Sequence, residues 1–444
     1  MNEINIEAID EDGDELEGAD EGDLYVTGAA RTVPLQKADR SLSELKRWFD
    51  KGRLIVDPEW QRGYVWDDRR ASRLIESFLI DLPVPVIYLA TNDEGKYEVI
   101  DGLQRLTAVF NFMSNARGLT GLEILTELNN KTFSELDPGN QAKLEDATLR
   151  TFELAQSVPK DLMFLIFERL NTGGVALNEM EIRNCLYRGK LNNLIMELAT
   201  NENFLNVTNQ QNLDHRMYDR LLVLRFLAFY QMTYDHARSG LKRFFNEFLE
   251  TYRNTNNSKI EEYREVFKKC MRACCTIFGE KGFRLRKSPD KKHPGEWVGR
   301  VNASVFQVIS TSFAHYDIGS VTRSADSIFE AFLDLISADK EWITAVTAGT
   351  GAFQRIEYSF KTWEERLRLI LTTETPNDSS RLFSRALKED FFDRDNTCRI
   401  CGQKINMIND AALDHHQQYW KGGQTVPENA RLVHRLCNLE RSQK

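Results

Sequence analysis

No stretch of 18 apolar residues occurs in this 444-residue chain, and its most hydrophobic run, LLVLRFLAFY at 221–230, is broken by Arg225. A membrane span is therefore not expected. A basic-then-apolar leader is also missing, because the first 25 residues are acidic, so no secretory signal is expected and the default location is cytoplasmic. No internal repeat is visible. Cysteine is scarce, with seven residues, and without a secretion signal these do not suggest a disulfide framework. Basic residues are absent from positions 1–30, which hold eleven of the 67 acidic side chains. The net charge of −9 therefore resides in that tail, and the rest of the chain is nearly balanced. Rich in charge and poor in apolar groups, residues 1–30 are expected to be disordered. They would serve as a solubilising tail or compete with nucleic acid for a basic groove.

The length suffices for two or three domains. SLSELKRWF (41–49) carries a capping-box pattern from Ser41 to Glu44 and predicts a helix start. RLIVDP suits a short strand, and 68–80 places Leu74, Ile75, Phe78 and Leu79 on one helical face. Two β-rich runs around Asn-Asp-Glu-Gly in 83–102 predict a hairpin, followed by a helix over 103–113. That order describes a small α/β unit. From about 160 to 380 the pattern is almost wholly helical. MFLIFERLN ends at Thr-Gly-Gly (172–174), and ALNEMEIRNCLY restarts a helix. The basic stretch 281–297 reads as a solvated connection or a nucleic-acid contact, and 372–380 as a linker. Cys270, Cys274 and Cys275 fall in a helical pattern that favours core packing, and Cys185 stands alone.

The remaining cysteines carry chemistry. Cys398-Arg-Ile-Cys401 has zinc-ligand spacing, and His434-Arg-Leu-Cys437 supplies a second half after 32 intervening residues. A closed four-ligand structural zinc site would help so small a terminal module fold. Between the halves lies LDHHQQYWKGG (413–423), with Asn429 and Asn438 following on what reads as a helix starting near Pro427. Phosphodiester hydrolysis needs a divalent cation to neutralise developing charge and a base to deprotonate water. A carboxylate and an amide oxygen suit Mg²⁺, and a neutral imidazole suits the base. Asp214-His215 and Asp235-His236 lack flanking cysteines and a Gly-Gly turn, and read as ordinary polar pairs.

This C-terminal pattern resembles the HNH endonuclease family over about the last 50 residues. The resemblance implies a ββα-metal module in which His415 is the general base. Asp414 and Asn438 would bind the catalytic Mg²⁺ or Mn²⁺, and Asn429 would brace the loop. His434 stands where the family usually has cysteine, which zinc tolerates. Strand alternation alone would pair Asp414 with His416 on one face; the resemblance, not the spacing, selects His415.

At the other end, Asp101-Gly102-Leu103-Gln104-Arg105 places free helix-start amides where a phosphate would bind. With Gln61, Arg62 and Trp66, and with Phe167 and Asn171, this motif resembles the N-terminal domain of GmrSD-type restriction proteins, related to the ParB/sulfiredoxin-like fold. Leu103 stands where that family's motif carries its first glutamine. The resemblance spans roughly 35–240 and implies binding or hydrolysis of a nucleoside triphosphate (GTP, UTP or ATP) through Gln61, Arg62, Asp101, Gly102, Gln104, Arg105 and Asn171.

The expected fold is α+β and mostly helical. An acidic tail occupies 1–30, a ParB/sulfiredoxin-like α/β nucleotide-binding or sensor domain 31–240, and a helical domain with linker 241–380. A zinc-bearing HNH module occupies 381–444. The expected function is nucleotide-regulated, metal-dependent DNA cleavage in anti-phage defence, a Type IV-like restriction of modified or foreign DNA. A homo-oligomer would let two single-strand cutters make a double-strand break. The alternatives are a binding protein that grips DNA or nucleotide without cutting, and a nucleotide-driven regulator of a partner nuclease. Asp414, His415 and Asn438 together favour the enzyme.

Overall fold

The computed structural model describes residues 35–56, 66–92, 94–170, 178–209, 213, 215–286, 297–372, 383–418 and 423–442. The acidic tail, Gln61, Arg62, Asn171, Asp214, most of the basic stretch 281–297 and most of the 372–380 linker lie outside the described residues. The described residues divide into two compact units, one within 24–188 and one within 189–444.

The first unit is built on a five-stranded mixed sheet. Its strands are β1 (Leu35–Ser41), β2 (Leu54–Ile55), β3 (Ile87–Thr91), β4 (Tyr97–Asp101) and β5 (Thr148–Leu154), in the order β1-β5-β3-β4-β2. β1/β5 and β3/β4 are antiparallel; β5/β3 and β4/β2 are parallel. Helices α1 (Leu42–Asp50), α2 (Asp68–Leu79), α3 (Leu103–Met113), α4 (Pro138–Asp146), α5 (Lys160–Leu170) and α6 (Glu179–Leu186) complete it.

Local chemistry explains the boundaries. Ser41 Oγ accepts from the Glu44 amide at 3.1 Å and starts α1, while Asp67 Oδ1 accepts from Arg70 N at 2.7 Å and starts α2. In the predicted hairpin, Asn92 Oδ1 accepts from the amides of Glu94 and Lys96, each at 3.0 Å, and closes the turn. Leu42, Leu45, Ile75, Ile87, Leu89, Leu106, Val109 and Leu144 join one core between helices and sheet.

The second unit opens as a helical body. It contains α7 (Lys190–Ala199), α8 (Glu202–Thr208), α9 (Tyr218–Met232), α10 (Leu241–Tyr252), α11 (Asn257–Phe278), α12 (Ala303–Ser312), α13 (Ile318–Arg323), α14 (Ala325–Ala338), α15 (Lys340–Thr347) and α16 (Phe353–Thr372). α9, the most hydrophobic run of the sequence, is buried on nearly every side. Its Arg225 is enclosed with it and donates to Gln307 Oε1. Among the described residues no helix is long and apolar enough to cross a membrane. Cys270 and Cys274 pack inside α11, where burial pushes the Cys270 thiol up to about 12 and holds that of Cys274 well above the usual thiol range. Cys185 is also buried.

The chain ends in a small ββα arrangement: α17 (Arg385–Arg394), β6 (Ala411–His415), β7 (Ala430–His434) and α18 (Arg435–Ser442). β6 and β7 pair antiparallel, with Ala411 opposite His434 and His415 opposite Ala430. Cys398, Ile405, Ala411, Ala412, Leu432 and Val433 form its core. The helix expected from Pro427 is absent. Pro427–Asn429 makes one 3₁₀ turn, the chain then runs extended as β7, and the helix begins only at Arg435. The ladder to β6 and burial of Leu432 and Val433 outweigh helix propensity there.

Candidate metal centre and its flanking histidines

Cys398 and Cys401 sit on a tight knuckle. Cys398 N donates to Gln403 O at 2.9 Å, and Gly402 N to Cys398 O at 2.9 Å, with Gly402 in the left-handed region at φ 75°. β7 delivers His434 to this knuckle, and the first turn of α18 delivers Cys437. The Sγ atoms of the three cysteines and a ring nitrogen of His434 all lie within 4.8 Å of one another, the only such cluster among the described residues. Cys401 Sγ and His434 Nδ1 are 3.3 Å apart.

The donors fit zinc. Metal–ligand bonds of about 2.0–2.3 Å in a tetrahedron place neighbouring donors within such distances of one another. Burial by itself would raise the Cys398 thiol. The backbone N–H groups of Cys401, His434 and Ile400 outweigh that and bring it to about 6. Cys437 is pushed up to about 12 by burial and by the neighbouring Cys398. The protein alone therefore favours the thiolate at Cys398 and disfavours it at Cys437, a penalty that a bound dication would relieve.

Asp414 and His415 occupy the last two positions of β6. The Asp414 carboxylate accepts from Arg431 Nε at 3.0 Å and Nη2 at 2.7 Å, across the ladder. His415 is half-buried. Its ring packs on Phe383 with centroids 4.5 Å apart, and its Nε2 lies 2.9 Å from Thr425 Oγ1. His416 is exposed, and its amide donates to Asn429 O at 2.8 Å. The two histidines differ accordingly: the His415 ring is held between Phe383 and Thr425, whereas His416 is exposed and lies beyond the end of β6.

Asn429 ties the intervening loop from both sides. Its Oδ1 accepts from Gln417 N at 2.8 Å, while Nδ2 donates to Gln417 O at 3.1 Å and Gln424 O at 2.8 Å. Gly423 lies so close to the Gln417 carbonyl that a Cβ would collide with it. Asn438 is half-buried on α18, one residue after Cys437. The β6–β7–α18 frame thus carries Asp414, His415 and Asn438 alongside the four-donor cluster.

Sequence reasoning missed Phe383, Thr425 and Arg431. Phe383 stands 32 positions before His415 with no local signal, whereas Arg431 follows from register once β7 is read as a strand. Of the two other Asp-His pairs, Asp235-His236 is exposed, and Asp235 pairs with Arg238 at 3.3 Å.

In the first unit, Gly102 caps α3 at φ 104°, and a Cβ there would strike Ile87. Arg105 donates from Nη2 to Asp101 Oδ2 at 2.5 Å, and from Nη1 to Pro85 O at 2.5 Å and Val86 O at 2.9 Å. Gln104 Oε1 accepts from Trp66 N at 3.3 Å. Asp101, Gly102, Gln104 and Arg105 therefore form one braced strand-to-helix turn, and Phe167 is buried in α5.

Residues 45–188 match the family model of the GmrSD restriction endonuclease N-terminal domain, and residues 398–444 match that of HNH endonuclease. Comparison with curated proteins gave no match.

Proposed function

From a GmrSD-type N-terminal domain joined to a C-terminal HNH endonuclease domain, we propose a nucleotide-regulated nuclease that nicks DNA through His415 and serves bacterial defence against modified or foreign DNA. The observation that carries this reading is the clamped His415 beside Asp414 at the end of β6, in the HNH-matching segment.

In this reading the neutral His415 imidazole takes a proton from a water molecule as its oxygen attacks phosphorus. The bond from phosphorus to the leaving sugar oxygen then breaks. Thr425 and Phe383 hold the ring at one orientation, so little freedom is lost on reaching the transition state. Asp414 and Asn438 would supply the hard oxygen donors for Mg²⁺ or Mn²⁺, which when bound would neutralise charge developing on the phosphate. Arg431 orients the Asp414 carboxylate. Asn429 keeps the loop ends together, so that Thr425 stays against His415. Cys398, Cys401, His434 and Cys437 would hold a structural zinc, which their clustered donors fit.

The nucleotide is assigned to the turn at Gly102, where the opening amides of α3 favour a phosphate. Asp101 and Gln104 belong to that turn, and Arg105 shapes it by holding Asp101 and the 85–86 carbonyls; Gln61, Arg62 and Asn171 are assigned to nucleotide binding from the family resemblance alone. The test is a plasmid assay on modified and unmodified DNA with Mg²⁺ or Mn²⁺, with and without GTP, UTP and ATP. Relaxation of supercoiled plasmid that needs His415, and that responds to a nucleotide, is expected. Relaxation by the His415→Ala protein would overturn the catalytic assignment, and indifference to all three nucleotides would overturn the regulation.

A further inference from the structure

Two arginine–carboxylate contacts, each with a buried guanidinium, join the C-terminal ββα module to the helical body. Arg435 opens α18 directly after the ligand His434, yet its side chain is only 3% exposed. Its Nη1 reaches Asp334 Oδ1 at 2.6 Å and its Nη2 reaches Glu330 Oε2 at 2.9 Å, both on α14. The same guanidinium donates to Asn409 O at 3.2 Å and Ala411 O at 3.0 Å, at the entry to β6. Lys388 of α17 bonds the other oxygen of Glu330. The second contact pairs Arg286 of the helical body with Asp410, the residue before β6, and Arg286 also donates to Asn409 O at 2.9 Å. The side chains of Arg286 and Asp410 are 1% and 5% exposed.

Ordinary cohesion does not require this arrangement. Burying ions costs desolvation that a well-packed apolar contact would avoid, so buried pairs contribute geometry more readily than stability. A guanidinium offers five donors in a rigid plane, and Arg435 directs them at α14 and at the start of β6. β6 carries Asp414 and His415, and α18 carries Cys437 and Asn438. Arg435 therefore ties to α14 both elements on which Asp414 and Asn438 lie.

We propose that Arg435 and Asp410 are positioning residues of the nuclease centre. Through Glu330, Asp334 and Arg286, the helical body sets the separation of the two proposed divalent-cation ligands, Asp414 and Asn438. The module is then one working part with α14, not a nuclease tethered by its linker. This inference rests on the nicking reading above.

The test uses the full chain with Arg435→Lys, Glu330→Gln and the paired change Arg286→Met with Asp410→Leu. The paired change removes both charges together, the case in which a fold tolerates the loss. Zinc content and circular dichroism establish which proteins are folded. For these, kcat for plasmid nicking should fall by about 10–100-fold with KM for DNA unchanged, as expected of a ligand displaced by roughly 1 Å. Mn²⁺ affinity, measured by calorimetry without DNA, should weaken in parallel, while His415→Ala leaves it intact. Wild-type kcat and Mn²⁺ affinity in any folded variant would overturn the inference. If the unaltered protein nicks nothing, the nicking reading fails instead, and the Mn²⁺ titrations still decide whether Arg435 positions the ligands.

Discussion

The ring of His415 lies 4.5 Å from that of Phe383, and this contact separates it from its neighbour His416. Alternation along β6 would group Asp414 with His416, but β6 ends at His415, and His416 contributes its backbone to Asn429. His415→Ala should lower nicking by at least 10²-fold, the scale of general-base catalysis, with zinc content unchanged. His416→Ala should stay within a few-fold of the unaltered protein. Single-turnover nicking of both variants checks this, and the reverse order would move the base to His416.

Cys401 is exposed, yet it stands 3.3 Å from His434 Nδ1. Cys401→Ala should therefore act through the metal and not through packing. Metal analysis should show less than one equivalent of zinc, and the C-terminal module should become sensitive to protease. A strong chelator should reproduce the effect in the unaltered protein, because ligand binding energy in such a site is folding energy. Stoichiometric zinc in the variant would remove Cys401 from the ligand set.

The parts legible in the sequence were those governed by short-range rules. Cysteine spacing located the four-donor cluster, and Ser41 and the Asn92 turn marked a helix start and a hairpin. The stretch after Pro427 reads as a helix because Pro and Glu give a strong local start signal, whereas β7 is decided by pairing with a strand 19 residues earlier. Arg435 carries no sequence signal for a related reason. A charged residue beside a ligand reads as surface, and only the fold brings Glu330 and Asp334, about 100 positions away, against it. Arg105 reads as a phosphate ligand in sequence, but three of its hydrogen bonds go to the protein.

Gly423 and Asn429 make the loop between β6 and β7 a sensitive point. Gly423→Ala would drive a methyl group into the Gln417 carbonyl, at a cost of about 1–3 kcal/mol typical of overpacking. Asn429→Ala removes three hydrogen bonds, each with a net value of about 1 kcal/mol. Both variants should keep zinc, since none of its ligands lies in the loop. Both should lose nicking as Thr425 moves from His415. A thermal melt together with kcat checks the pair. Full activity in Asn429→Ala would mean that the loop needs no brace.

Arg105 provides the sharpest test at the other end of the chain. Its Nη2 holds Asp101 and its Nη1 the carbonyls of Pro85 and Val86, so it fixes the turn on which Gly102 starts α3. Arg105→Lys keeps the charge but cannot span both carbonyls and the carboxylate with its single ammonium in the same plane. If Arg105 met phosphate chiefly as a charge, Arg105→Lys would retain most nucleotide affinity. If it acts by shaping the turn, Arg105→Lys should lose nearly as much as Arg105→Ala, on the order of 10-fold, equivalent to about 1.4 kcal/mol. Calorimetric titration of GTP, UTP and ATP into both proteins distinguishes the two cases. In the absence of nucleotide, nicking should be unchanged in both. Unaltered affinity in Arg105→Ala would remove this turn from the nucleotide site.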